Sequence, residues 1–418
     1  MTAGESRVDD RLRARLTGAK ILITQAHLVQ YAGSEVVTLE LAEFFAEHGA
    51  QVVIATYAFA DPFASNFDGL SNVTLFEFDS EELAANLAER RPDIAWIQHS
   101  IIPRPLLERP DGVTFVFHHM SSILPAEYTL DAAVEVALAS AVVFESPRSR
   151  ELHLETEVYA ALDQDRLQVL GNPAPGAFAS MRRPEAPERR LVVVSNHIPI
   201  EMQDALTALE ETFQVERIGA QLELGARPQR VTAEVLSRAG AIVSIGKTVQ
   251  YSVAAGIPVY LYDHFGGVGW LTRENFDGAR HHNFSGRHSR QLAAAEIVDE
   301  IANGFDAAQA EAAELRADRL ADVSLPDRIL GLLDWIAANP RESLSLTGAA
   351  VNQHDTIQRA FAGYVRELVR RQRDAETLAI LRDGDRVALA QAHRTLAALR
   401  TRPIRTLLSA LARHLRRG

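Results

Sequence analysis

Short apolar runs alternate with amphipathic stretches twice along the 418-residue chain. KILIT at 20–24 has the length and β-branched content of a buried strand. A helix over 35–48 follows, with Val36, Leu39, Phe44 and Phe45 among its apolar positions. QVVIAT at 51–56 is the next strand, and further strands are expected at 94–97, 113–117, 141–144 and 166–170. The stretch GNPAPGAFASMRRPEAPERR, 171–190, carries four prolines and no apolar period, so it reads as a linker. The alternation restarts with LVVVS at 191–195. A helix at 201–211, a strand at 214–218, a further helix, a strand at 241–245, a helix at 248–255 and IPVYLY at 257–262 come after it. Strands alternating with helices imply mostly parallel sheets covered on both faces. From about residue 292 the pattern is almost wholly helical. It ends, after Pro403, in a helix over 404–417 where Leu407, Leu411 and Leu415 share a face with Leu408 beside it. The expected organisation is an α/β domain over 1–173, a linker over 174–190, a second α/β domain over 191–338 and a helical extension over 339–418.

The absence of cysteine excludes disulfides, thiolate catalysis and cysteine-bound zinc, and fits a reducing compartment. The N-terminal segment is charged and has no apolar core of signal-peptide length. No apolar run reaches the roughly 20 residues needed to span a bilayer. The net charge of −12 is unevenly spread: residues 386–418 hold eight arginines and no acid, which leaves −20 on residues 1–385. An acidic body argues against nucleic acid as a partner, and a basic tail on it points to an anionic surface or an acidic partner.

Four loops carry candidate chemistry. Gly33, Ser34 and Glu35 open directly into a helix, where free N–H groups attract phosphate or carboxylate; otherwise Ser34 is a helix cap. The loop is not GxGxxG, so the dinucleotide fingerprint is absent. His118 and His119 follow a strand, where ligands sit in open α/β sheets, and either binds phosphate, donates a proton or is a hydrogen-bonded loop histidine. Ser195, Asn196 and His197 repeat that geometry in the second half, as a ligand loop or as a cap and turn. Gly246, Lys247 and Thr248, with Gln250 behind them, offer backbone donors, a cation and a hydroxyl at a helix start, which suits a diphosphate. It is not a Walker A loop, because the upstream glycine spacing is missing. Gly256 and Pro258 punctuate the return to the next strand. Beyond it, Gly266, Gly267 and Gly269 read as a mobile or tightly turned loop, and Asp263, Gly266, Gly267, Asn283, Ser285 and Arg287 as candidate sugar or phosphate contacts or a plain loop. The DxD strings at 163–165 and 383–385 sit outside a strand end and read as solvated acids. No third partner for a histidine-bound metal is identifiable.

AGSEVVTLELAEFFAEHGAQVVIAT resembles the first glycine loop and helix of GT-B nucleotide-sugar glycosyltransferases, most nearly the retaining family-four group. GKTVQYSVAAGIPVYLYD is similar to that group's donor-site helix and return strand. The resemblance follows the strand–helix order over residues 20 to about 335. It implies two Rossmann-like doubly wound parallel-sheet domains facing a cleft (GT-B), with a helical C-terminal extension. The second domain would hold the nucleotide sugar and the first a glycan, lipid-linked or protein acceptor, with no metal or other cofactor. It also implies that one of His118 and His119 lies beside the transferred sugar and that Gly33 and Ser34 lie near the donor phosphates or acceptor. Ser195–His197, Lys247 and Thr248 would contact the donor phosphates, and Gly246, Gln250 and Tyr251 would complete the donor-binding set. The group's E-x7-E pair is absent: Val243 and Tyr251 hold those positions, and Ser-Asn-His replaces its Arg and Lys. Lys247 or Arg287 would then supply the positive charge. GKTVQY and NFSGR resemble a variant subgroup associated with bacterial surface-polysaccharide assembly.

Three functions are therefore weighed: a metal-independent cytoplasmic sugar transferase, a glycosyltransferase-like scaffold acting through its tail, and a related epimerase or phosphorylase. The last needs a carboxylate pair or cofactor lysine that the sequence does not place. The basic leucine-striped helix at 404–417 suits peripheral attachment to the inner face of a membrane, or docking on its own protein or a second copy.

Overall fold

The structure, a computed structural model, describes residues 3–121, 127–129, 131–183 and 188–401. The chain forms two compact units, Met1–Ala362 and Gly363–Gly418. The first unit opens with α1 (Ala3–Leu16), for which the apolar pattern gave no expectation. Then follow β1 (Lys20–Leu28), α2 (Gly33–Glu47), β2 (Gln51–Phe59), β3 (Val73–Glu77), α3 (Glu81–Glu89), β4 (Ile94–Gln98) and α4 (Arg104–Glu108). The first half is completed by β5 (Thr114–His119), α5 (Ala132–Leu138), β6 (Ala139–Phe144), α6 (Pro147–Glu155) and β7 (Leu167–Val169). The second half holds α7 (Gly176–Ala179), β8 (Arg190–Val194), α8 (Ile200–Leu209), β9 (Gln214–Ile218), α9 (Ala233–Leu236), β10 (Ala241–Ser244), α10 (Lys247–Ala255), β11 (Val259–Asp263), β12 (Gly266–Trp270), α11 (Phe276–His281) and α12 (Ala294–Val323). Next come α13 (Leu325–Ala338) and α14 (Gly348–Thr401), which runs into the second unit.

The architecture is the expected one, two doubly wound α/β halves with C-terminal helices. The first sheet has seven strands in the order β3-β2-β1-β4-β5-β6-β7, all parallel. Alternation along each strand splits its side chains between two cores. Ile21, Ile23, Val52, Ile54 and Trp96 face one core, and Leu22, Val53, Ala55, Ala95 and Ile97 face the other. The second sheet is ordered β12-β11-β10-β8-β9. Its edge strand β12 is antiparallel to β11. This corrects the reading of Gly266, Gly267 and Gly269 as a mobile or tightly turned loop: Gly267 N–H donates to Arg290 O at 3.0 Å, and the glycines form a strand. A Cβ on Gly267 would lie 1.9 Å from Leu261 O, so only glycine lets the two backbones approach.

The chain passes between the halves twice, and the two passages pair. Ala174 N–H donates to Val323 O at 2.7 Å, and Leu325 N–H donates to Ala174 O at 2.8 Å. The helix after the second passage, α13, was expected with the second domain. Its buried face, Leu325, Ile329, Leu330, Leu332 and Leu333, instead joins the core of α1, α2 and the first sheet. The start of the expected tail is likewise part of the first unit: Leu346 and Val351 pack in the opposite core, and Gln358 accepts from the Tyr57 hydroxyl at 2.5 Å. The apolar stripe of α13 reads the same whichever sheet it covers, so sequence pattern does not choose between them.

In the second unit α14 continues to Thr401, and Glu367 pairs with Arg370 and Arg371 one turn on. The helix expected at 404–417 lies outside the described residues. No helix among the described residues is long and apolar enough to cross a membrane.

Because α13 closes the first core, Ile329→Ala should lower the stability of that half by about 2–5 kcal/mol. The measurement is the shift of the urea-unfolding midpoint.

Candidate functional site

In a parallel sheet every strand ends at the same edge, and ligands collect where the strand order reverses. In the first sheet that point lies between β1 and β4, and in the second between β8 and β10. Three of the four candidate loops flank these points: 33–35 follows β1, 195–197 follows β8 and 246–248 follows β10. At the second sheet's switch point a small pocket is lined by Ser195, Ile198, Met202, Ser244 and Tyr262 among others. A second, small pocket joins the halves. His118 from the end of β5, Glu40 from α2, Asn172 from the first passage and Lys247 at the start of α10 all line it.

The adjacent histidines have opposite fates. His118 is 2% exposed, and the Trp96 indole N–H donates to its Nδ1 at 3.2 Å. An indole nitrogen only donates, so Nδ1 is the bare nitrogen and Nε2 carries the proton. Burial pulls the imidazole pKa down to about 3, against the pull of Glu127. His118 is therefore a neutral ring whose Nε2–H has no protein partner. It suits a hydrogen-bond donor that positions or polarises a ligand oxygen, not a general base.

His119 faces the other side of the sheet. Its Nδ1 donates to Glu127 O at 2.5 Å and its Nε2 meets Glu135 Oε1 at 2.8 Å. The Tyr159 hydroxyl donates to the same carboxylate oxygen at 2.7 Å. Burial, the largest influence, would lower the pKa of His119, but Glu135 and Glu127 together overcome it and hold it at about 8. This histidine is a structural ion-pair member, which narrows the sequence candidates to His118. Behind it, Glu127 bridges to His99 Nε2 at 3.1 Å. Burial opposes ionisation of Glu127, yet His99 and the Met120 N–H hold it down to about 2.

Lys247 is not a free cation. Its ammonium pairs with Glu40 Oε2 at 2.7 Å and lies over the Tyr251 ring, 5.2 Å from the centroid. The Tyr251 hydroxyl donates to the other Glu40 oxygen, and its ring stacks on Phe178 at 4.1 Å and 6°. Tyr251 is thus a core residue at the seam and not a donor contact. Next to it Arg230 makes a two-pronged pair with Glu43, at 2.7 and 2.5 Å. Gly246 precedes α10 at φ 61°, ψ −129°, with no side-chain cap on the helix start. Thr248 is buried, and Gln250 is buried with its Nε2 unpartnered.

The remaining candidates are mostly held by their neighbours. Ser34 caps nothing: it accepts from Gln25 Nε2 at 3.0 Å and donates to Glu35 at 2.9 Å, while Glu35 also pairs with His27 at 3.2 Å. A Cβ at Gly33 would meet open space. Ser195 Oγ donates to His197 O and accepts its N–H, a local turn, while the His197 ring meets His264 edge-on. Asn196 is exposed beside them. Asp263 ties its own turn to the next loop, accepting from the N–H groups of Phe265 and Gly286. Asn283 accepts from Asn172 across the seam at 3.3 Å. Ser285 accepts from the Arg287 N–H, and the Arg287 guanidinium lies over Phe265 at 4.3 Å. Among the described residues no group of three His, Asp or Glu is arranged to hold a metal ion.

Sequence reasoning missed Glu40, Asn172, Trp96 and the β4 exit, where His99 and Ser100 both take φ 54°. Two successive left-handed residues that are not glycine mark strain held by the surrounding fold. Glu40 had a detectable signal, an acid within the apolar face of α2.

No family model matches the chain, and no curated protein matches it. Solved structures with similar architecture include Anabaena Alr3699/HepE in complex with UDP. It is 12% identical over 77% of this chain and 100% of its own, with a TM-score of 0.49. A mutant of S. aureus TarM, in complex with UDP and other ligands, is 8% identical over 76% and 99%, with a TM-score of 0.48. The calicheamicin glycosyltransferase CalG4 is 17% identical over 77% and 99%, with a TM-score of 0.45.

The His119–Glu135 pair has a pH signature. The raised His119 pKa stabilises the fold fully below about 6.5 and ceases to do so as pH rises through about 8. The lowered Glu135 pKa, held down by His119 against burial, contributes above the ordinary carboxylate range. The stability gap between wild type and Glu135→Gln should be widest near pH 5–6.5 and shrink by about 2 kcal/mol by pH 9, read from urea unfolding at each pH.

Proposed function

We propose that the chain is a GT-B-type glycosyltransferase that moves a sugar from a nucleotide-sugar donor to a glycan or lipid-linked acceptor. The observation that carries this is the pocket between the two α/β halves, lined at once by His118 from the end of β5 and Lys247 after β10. A nucleoside diphosphate fits the start of α10, where uncapped N–H groups and a cation meet. The His118 Nε2–H donates to a sugar hydroxyl. In the transfer the bond between the anomeric carbon and the diphosphate oxygen breaks and a bond from that carbon to the acceptor oxygen forms. The acceptor's proton leaves with the phosphate, and the negative charge on the leaving diphosphate is stabilised by α10 and Lys247. Retention of the anomeric configuration and independence of metal rest on the resemblance of the loop at 32–56 and of GKTVQYSVAAGIPVYLYD to the family-four group, and a place in surface-polysaccharide synthesis on that of GKTVQY and NFSGR. A cytoplasmic location, with the basic leucine-rich segment 404–417 on the inner face of the membrane, completes the reading.

A second reading is favoured by the Glu40–Lys247 pair, which neutralises the cation: a glycosyltransferase-like binding protein without turnover.

A thermal-shift screen against UDP-, GDP-, ADP- and dTDP-sugars separates the two. A donor at 100 times its Kd stabilises the fold by about 2.7 kcal/mol, and Lys247→Ala should lose the shift relative to its own unliganded melting point. His118→Ala should slow transfer by about 10²–10³-fold while leaving the fold intact. No shift with any of these donors ends the transferase reading. Chain lacking 386–418 should fail to pellet with vesicles of anionic lipid that carry down the full chain; equal pelleting rules out the membrane contact.

A further inference from the structure

Of the 43 Lys and Arg residues, only Lys20 and Lys247 are lysine. Lys20 serves the fold. Its ammonium donates to Asn86 O at 2.7 Å and Arg90 O at 2.5 Å, closing the end of α3. Lys247 sits at the first position of α10, yet its ammonium does not serve that helix end. It folds back across Tyr251 to Glu40. Glu40 is 3% exposed, so its charge needs partners. It has two of them, one per oxygen: Lys247 on one and the Tyr251 hydroxyl on the other. Arg230, paired with Glu43 one turn along α2, lies near enough to feel the Glu40 charge. A Glu40 that lost Lys247 would keep the Tyr251 hydrogen bond and the field of Arg230. Releasing Lys247 therefore does not strand a bare buried carboxylate.

The same cavity holds groups that favour an anion. The α10 start is uncapped, Lys247 has a flexible stem, and the buried His118 Nε2–H has no protein partner. Glu40 is the acid in its lining. An ammonium is a compact charge on a rotatable stem and can exchange one anionic partner for another, which a guanidinium fork locked on a carboxylate does less readily.

We propose that Glu40 is a positioning residue that holds Lys247 in a resting pose and is exchanged for the ligand's diphosphate, so that Glu40 sets how tightly the site holds a nucleoside diphosphate. This rests on the nucleotide-sugar reading above. Glu40 competes for Lys247 before binding and draws it back afterwards, which favours release of the product diphosphate.

The test is calorimetry of the full chain with UDP, GDP, ADP and dTDP, for wild type and Glu40→Gln. The variant keeps the size of the side chain and its hydrogen bond with Tyr251 and removes the charge. It should bind one of these diphosphates about tenfold more tightly than wild type. A folded Glu40→Gln that binds equally or more weakly overturns the exchange and leaves the nucleotide reading standing. No binding by either protein overturns both. With two lysines in the chain, labelling with [ε-¹³C]lysine adds a readout in wild type that does not need the variant to fold. Lys20→Arg assigns the two signals. Saturating diphosphate should move the Lys247 signal and leave that of Lys20 in place. A bound nucleotide that leaves the Lys247 signal unmoved overturns the exchange.

Discussion

Parallel strands all end on one edge of their sheet, and every loop that follows a strand must leave from that edge. In this protein two such edges meet. The consequence is that residues far apart in the chain converge on one seam: Glu40 after β1, His118 at the end of β5, Asn172 after β7 and Lys247 after β10. None of these is brought there by its neighbours in sequence. They are brought by strand order, and by the paired passages at Ala174 and Ser324 that carry the chain between the halves.

The seam is polar because its edge residues are polar, and burial then dictates how they pair. Glu40 and Lys247 neutralise each other, Tyr251 takes the second Glu40 oxygen, and Arg230 takes Glu43. Isolated charges there would cost several kcal/mol each, so each has a partner. The group left over is instructive. His118, which lines the pocket, accepts from Trp96 at Nδ1 and keeps a buried, unshared Nε2–H. An orphaned buried donor is costly unless something else meets it, and a ligand oxygen is the natural occupant.

One strand separates structure from chemistry in two consecutive residues. Along β5 successive side chains point to opposite faces. His118 joins the face of Trp96 and the seam, and His119 joins Phe144, His153 and Tyr159 in the opposite layer. Their ionisation follows: desolvation leaves the first neutral, while Glu135 keeps the second charged.

Periodicity alone determined the two α/β halves, most strand positions and the helical C-terminal segment, because strands buried on both faces read as unbroken apolar runs. It also marked the loops at the switch points, since glycine and small polar residues at strand exits are local signals. Tertiary structure decided the rest. Which sheet α13 covers depends on where the chain crosses, and an apolar stripe does not encode that. Gly266–Trp270 became an edge strand that pairs back on β11, with Arg290 approaching its other side from further along the chain. Lys247 reads as a free cation in sequence and is a paired one in the fold, because its partner lies 207 residues away on α2 and only folding brings the two within 2.7 Å.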